Sequence, residues 1–159
     1  MSPRNLHVVN LPVNMDRTCL VFHLVVILCL LRTSIARTKN ITTDQSALRA
    51  LKSHVTFDPS DVLSRSWINQ IPVCNWTGVK CSSLHQRVVA LNISHLGLQG
   101  NIPPQVANLS FLNSIDISGN DFQGNLPEEL VHLQRLSYIN FSFNKFSGGV
   151  PSWLGFLPN

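Results

Sequence analysis

From Val88 onward the sequence repeats with a period of 24 residues. Self-similarity at a fixed period of about 20–50 residues restricts a chain more tightly than any local propensity. Three stretches begin at Val88, Leu112 and Leu136, and each carries the same short string: Leu91-Asn92-Ile93-Ser94, Ile115-Asp116-Ile117-Ser118 and Ile139-Asn140-Phe141-Ser142. An apolar residue, a glycine, a second apolar residue and a proline follow at constant spacing. These are Leu98, Gly100, Ile102 and Pro103 in the first copy, then Phe122, Gly124, Leu126 and Pro127, then Phe146, Gly148, Val150 and Pro151. Two further apolar positions close each copy: Val106 and Leu109, Leu130 and Leu133, Leu154 and Leu157.

One copy can be read physically. Alternation such as Ile115 and Ile117 around Asp116 predicts a short strand with two side chains inward and the intervening ones outward. Asn120 and Asn144 stand just after the strand in their copies. A buried asparagine there can bond the backbone of its own turn and of the neighbouring coil, satisfying groups that a curving chain would otherwise orphan. Gly124 and Gly148 suit a bend with dihedrals other residues avoid. The proline opens a short helical or extended segment, where its missing N–H does little harm, and Glu128 and Glu129 fall in the first turn, which favours acidic side chains. One coil cannot bury its apolar face alone, so the copies must stack.

These strings resemble the plant extracellular class of leucine-rich repeat, whose pattern runs L-x-x-L-x-L-S-x-N-x-L-x-G-x-I-P. Copies two and three match nearly throughout, and copy one departs at the asparagine position, where Leu96 stands. Ahead of the repeats, Asp44 is expected to cap a helix carrying Leu48, Leu51 and Val55 on one face and ending near Asp58-Pro59. The string Cys74-Asn75-Trp76-Thr77-Gly78-Val79-Lys80-Cys81 is similar to the N-terminal capping motif of plant receptor-like kinases and receptor-like proteins. The resemblance covers roughly residues 43–159. It implies an α/β repeat fold, a solenoid with short parallel strands on its concave face and an α-helical, disulfide-bonded N-terminal cap. The domains expected are a cap over 37–87 and repeats over 88–111, 112–135 and 136–159.

Residues 1–36 read as a signal peptide. Arg4 and Arg17 precede an apolar run from Cys19 to Leu31, and Ser34-Ile35-Ala36 supplies small residues for cleavage. That run would reach about 20 Å as a helix, short of a ~30 Å hydrocarbon core. Met15 would begin a leader of more ordinary length. Cleavage would leave nine basic against seven acidic side chains, scattered rather than clustered, which offers no nucleic-acid footprint. It would also leave Cys74 and Cys81 in a compartment where disulfides persist. A bridge between them would stabilise by about 2.5 kcal/mol through loop closure. Zinc binding or a redox pair fits poorly, because a second cysteine pair is lacking after cleavage and His85 is alone.

Catalytic and metal chemistry find no footing in the sequence. His54, His85, His95 and His132 share no metal-ligand spacing and accompany no nucleophile motif. Glu128 and Glu129 are adjacent, point in different directions on a helix and suit a helix start better than an acid pair. No phosphate loop or kinase signature occurs. The expectation is a binding module that is not an enzyme and uses no cofactor or metal.

Five N-x-S/T sequons follow the leader, at Asn40, Asn75, Asn92, Asn108 and Asn140. Outward strand residues Ala90, Ser114, Asp116 and Tyr138 are the candidate ligand contacts. Asn92 and Asn140 share that face, so glycans on both would crowd it and send binding to the lateral edges or to other repeats. The leading functional expectation is extracellular perception of a protein or peptide ligand, with a co-receptor ectodomain as a further partner, in defence or development. A small secreted inhibitor or adaptor is the alternative, and a truncated product is the third. A membrane would be met only through a missing C-terminal span or an uncleaved leader. The chain stops one residue before a fourth copy would begin, so the last coil is expected to expose Ile139, Phe141, Phe146, Val150 and Leu154, as in a fragment of a longer array.

Overall fold

The computed structural model describes residues 41–149 and 151–156. The leader over 1–36, Asn40, Val150 and Leu157 lie outside the described residues. Helix α1 covers residues 41–53, and its apolar spacing buries Ala47, Leu48 and Leu51. Strand β1 (Val55–Phe57), helix α2 (Val62–Ser66) and a 3-10 turn at Val73–Asn75 follow. Strands β2 (Val79–Cys81), β3 (Val88–Asn92), β4 (Gln99–Gly100), β5 (Ser114–Asp116), β6 (Asp121–Gly124), β7 (Tyr138–Asn140) and β8 (Lys145–Phe146) complete the set. A 3-10 turn opens directly after Pro103, after Pro127 and after Pro151, and together these turns line the back of the coils.

Two four-stranded sheets result, in the orders β2-β3-β5-β7 and β1-β4-β6-β8. In the first, β3, β5 and β7 are parallel, with Leu91 opposite Ile115 and Ile115 opposite Ile139, one repeat apart at each step. The cap joins it through β2, antiparallel to β3. The sequence reading anticipated this sheet but not the second. The stretch read as a bend at Gly124 and Gly148 does turn, with φ of +79° and +88°, and it also pairs from coil to coil as β4, β6 and β8. Strands of two to four residues leave too little alternation to be seen in advance.

The core runs unbroken from cap to coils. Leu91, Ile93, Leu98 and Val106 of coil one are fully buried, as are Ile115, Ile117, Phe122 and Leu130 of coil two. In coil three, the equivalent Ile139, Phe141, Phe146 and Leu154 are only half-buried. In the cap, Trp67 and Trp76 stack with ring centroids 5.4 Å apart. Each indole N–H donates to a carbonyl, Trp67 to Thr77 at 3.0 Å and Trp76 to Ile71 at 2.9 Å, so neither ring carries an orphaned donor into the core. Cys74 and Cys81 are joined by a disulfide that closes the loop carrying Trp76. Gly78, inside that loop, has φ +77°, and a Cβ there would lie 2.1 Å from the Asn92 carbonyl oxygen, so only glycine lets the loop approach β3.

The reading of Asp44 needs correction. Residue 41 is already helical, so Asp44 sits within α1 rather than at its cap. Its carboxylate is fully buried and receives Arg87 Nε at 2.8 Å, Arg87 Nη2 at 2.7 Å and the Val88 N–H at 2.9 Å. A buried carboxylate is tolerable only with such charge-assisted partners. Val55, expected on the helix, belongs to β1, because α1 ends at residue 53. Asp58 marks the start of α2, where its carboxylate accepts from the N–H groups of Val62, Leu63 and Ser64. Arg87 also begins a column one repeat long in each step: its guanidinium and that of Arg135 lie over the Phe111 ring, at 4.5 and 4.1 Å from the centroid.

Candidate functional site

The uncovered face of β2-β3-β5-β7 carries two rows of side chains, set by the alternation of each strand. Register places Lys80, Ala90, Ser114 and Tyr138 in one row and Asn92, Asp116 and Asn140 in the next. The four contact candidates Ala90, Ser114, Asp116 and Tyr138 are therefore brought onto one surface. Ala90, Ser114 and Asp116 are half-exposed, and Tyr138 is 51% exposed. Phe143, at the rim just after β7, is 83% exposed and held at φ +54°. A tyrosine left in water beside a carboxylate is an amphipathic pair suited to peptide side chains and backbone.

Each coil ends its strand in the same way. The side-chain oxygen of Asn92 accepts from Ser94 N at 3.1 Å and Ser94 Oγ at 2.8 Å. Asp116 does so with Ser118 at 3.0 and 2.7 Å, and Asn140 with Ser142 at 3.3 and 2.7 Å. Asparagine and aspartate are interchangeable in this turn because only the acceptor oxygen is used. The Asn-x-Ser strings at Asn92 and Asn140 thus have a conformational reason to recur. Asn140 is further engaged: its Nδ2, the atom a glycan would occupy, donates to Asp116 Oδ2 at 3.3 Å and Ser118 Oγ at 3.1 Å. Asn92 is exposed.

Asp116 is the electrostatic centre of the face. Burial, the largest single influence, raises its pKa, but hydrogen bonds from the Ser118 hydroxyl and N–H, from Asn140 and from Tyr138 together outweigh it. Its carboxyl therefore lies below the ordinary value of 3.8. Tyr138 Oη stands 3.5 Å from Asp116 Oδ2, so the carboxylate also orients the ring.

The asparagines after the strands tie the coils together. Asn120 Oδ1 accepts from Leu96 N at 3.1 Å and Leu98 N at 3.0 Å, and its Nδ2 donates to the carbonyls of Ile93, Ile117 and Ser118. Asn144 repeats the pattern one coil on, accepting from Phe122 N and donating to Ile117, Phe141 and Ser142. Asn75 and Asn108 lie outside the strands, both exposed at the ends of 3-10 turns.

The sequence reading placed Ser118 in the recurring string without giving it a partner, and did not single out Arg87, Phe111 and Arg135. Arg87, Phe111 and Arg135 stand at one position of the 24-residue period, and applying that period to the polar positions would have brought the three together. Among the described residues, no group of three or more His, Cys, Asp or Glu side chains is placed to hold a metal ion. No helix among them is long and apolar enough to cross a membrane.

Residues 41–82 match the model of the leucine-rich-repeat N-terminal domain, and residues 111–133 and 135–157 match that of the leucine-rich repeat, together a little over half of the chain. A receptor-like protein kinase of Arabidopsis thaliana is 44% identical over 78 residues, which is 49% of this chain and 8% of that protein. The receptor-like serine/threonine-protein kinase EFR of the same plant is 38% identical over 78 residues, again 49% and 8%. The chain thus spans under a tenth of the length of these curated relatives. Among solved structures, the BIR2 ectodomain of Arabidopsis thaliana superposes with a TM-score of 0.63 at 34% identity, covering 70% of this chain and 60% of that one. The ectodomain of the Arabidopsis receptor kinase HAESA, solved with an extended IDA peptide hormone, gives 0.65 at 30% identity, covering 76% and 20%.

Proposed function

Because this chain belongs to the plant leucine-rich-repeat family, over both the N-terminal cap and the repeats, we propose that it is an extracellular binding module that receives a peptide or protein ligand on the face of β2-β3-β5-β7. The observation that carries this reading is the exposed Tyr138 beside Asp116 on an in-register sheet face, with exposed Phe143 in the turn that follows β7. A sheet face has to be covered or polar to remain monomeric in water; this one is polar over most of its area and keeps aromatic side chains where a ligand would reach them. The HAESA structure, solved with a peptide hormone, gives the reading its class of ligand. The module contributes recognition and no chemistry, and a co-receptor ectodomain would join through the same family of contacts.

The probe is a phage-displayed random peptide library panned against the secreted chain. Peptides selected by the wild type should lose about tenfold or more in affinity on Asp116→Arg combined with Tyr138→Ala, the loss of one good interface contact at roughly 1.4 kcal/mol. Peptides that bind the double variant as well as the wild type would overturn the assignment of the face. Retention of a reporter-tagged chain inside plant cells would overturn its extracellular placement.

A further inference from the structure

A second concave feature lies on the cap. It is a groove of about 550 Å³ between α1 and the loop leading to the disulfide, within the roughly 300–1,000 Å³ range of small-ligand sites. Five carboxamides line it: Gln45, Asn69, Gln70, Asn75 and Gln86. No Asp, Glu, Lys or Arg is among its described lining residues. Asn69 is engaged by Arg49, and Gln86 Nε2 donates to Ser83 O. The carboxamides of Gln45, Gln70 and Asn75 make no hydrogen bond among the described residues. Beside them, Ile41, Ile71 and Pro72 supply an apolar wall.

This chemistry selects its occupant. Each carboxamide offers two donors and an acceptor, which suits a neutral ligand dense in hydroxyl and acetamido groups, and the apolar wall suits the flat C–H face of a sugar ring. One of the lining residues is also the asparagine of a sequon, Asn75-Trp76-Thr77. A sugar attached there would be tethered at the groove, so its seating is an intramolecular event with a high effective concentration.

We propose that Asn75 carries an N-linked glycan whose first sugars lie in this groove. The proposal rests on the extracellular reading given above, since the modification requires the secretory route. In the transfer, Nδ2 of Asn75 forms a bond to the anomeric carbon of an oligosaccharide carried on a lipid pyrophosphate. The bond from that carbon to the phosphate oxygen breaks, the lipid pyrophosphate leaves with its electron pair, and one Nδ2 proton passes to the transferase's base. The transfer happens on the chain as it enters the secretory route, and the groove forms around the sugar as the cap folds. Seated there, the glycan covers Ile41 and Ile71 and fills the hydrogen bonds of Gln45 and Gln70.

The test uses the full chain secreted from cells that leave glycans in their high-mannose form. Peptide mass spectrometry reads occupancy at Asn75 and at Asn108, and an endoglycosidase that cuts between the first two sugars reads access. Asn75 should be occupied, and in the folded protein its glycan should be released about tenfold more slowly than that of Asn108, with equal rates after denaturation. Gln45→Ala combined with Gln70→Ala should keep the occupancy and abolish the difference in rate. An occupied Asn108 with a bare Asn75, or equal rates in the folded protein, would overturn the proposal and leave the extracellular reading intact. Both sites bare on a retained chain would overturn the two together.

Discussion

Replacing Asn120 by leucine tests whether the inter-coil asparagine, rather than the apolar stack, holds neighbouring repeats in register. Asn120 is 5% exposed, and its loss leaves the Leu96 and Leu98 N–H groups without an acceptor. Each buried orphan costs about 1–3 kcal/mol. The Ile93 carbonyl loses the Asn120 donor as well, whereas Ile117 keeps a donor from Asn144 and Ser118 keeps the His95 N–H. The leucine returns roughly 1.5–3 kcal/mol through burial of its side chain. The expected net loss is about 3 kcal/mol, a large part of the stability of a small domain.

Asn144→Leu supplies the internal comparison. It orphans one N–H, that of Phe122, and its own carbonyl partners Phe141 and Ser142 are partly open to water. The expected cost is about 1 kcal/mol. Urea unfolding followed through Trp67 and Trp76 fluorescence and through far-ultraviolet dichroism reads both variants. With a slope of about 1–3 kcal/mol per molar, Asn120→Leu should lower the midpoint by at least ~1 M and Asn144→Leu by about a third as much. An Asn144→Leu effect equal to or larger than that of Asn120→Leu would refute the orphan-donor reasoning. So would a loss below about 1 kcal/mol for Asn120→Leu.

Two further outcomes follow from groups already placed. Asp44→Asn keeps the shape of the side chain but leaves the Arg87 guanidinium, 6% exposed, without its counter-charge; the cost should be about 3–5 kcal/mol in urea unfolding, and Asp44→Leu with Arg87→Met should recover much of it. No recovery in that double variant would mean that the pair acts through something other than desolvated charge. Asp116, whose folded pKa lies below 3.8, contributes stability that is present above its unfolded value and is lost as pH falls through the folded one. Its carboxyl carbon resonance should therefore titrate below 3.8, and Ser118→Ala should move the midpoint upward; a wild-type midpoint at or above 3.8 would contradict the hydrogen-bond account.

What could be read in advance divides along one physical line. Leu91, Ile115 and Ile139 identify one another because each stands at the same place in a repeat, so three weak signals become one strong one, and the parallel sheet was visible from them. Asn120 and Asn144 were legible for the same reason, since a polar residue that recurs at a buried position requires a backbone partner in the next coil. Asp44 has no such copy. Its partner Arg87 lies 43 residues away, and a lone Asp ahead of an apolar run offers the same local pattern whether it caps a helix or neutralises a distant arginine. The second sheet escaped for a different reason. Gln99–Gly100 and Lys145–Phe146 are strands of two residues, and what makes them strands is the stacking of coils rather than any preference of their own. The face of β2-β3-β5-β7 falls between these cases. Its rows were placed by the repeat, while the interplay of Tyr138, Asp116, Ser118 and Asn140 depends on adjacent coils meeting at hydrogen-bonding distance. Repetition makes position readable, and the chemistry between positions has to be built from the stack.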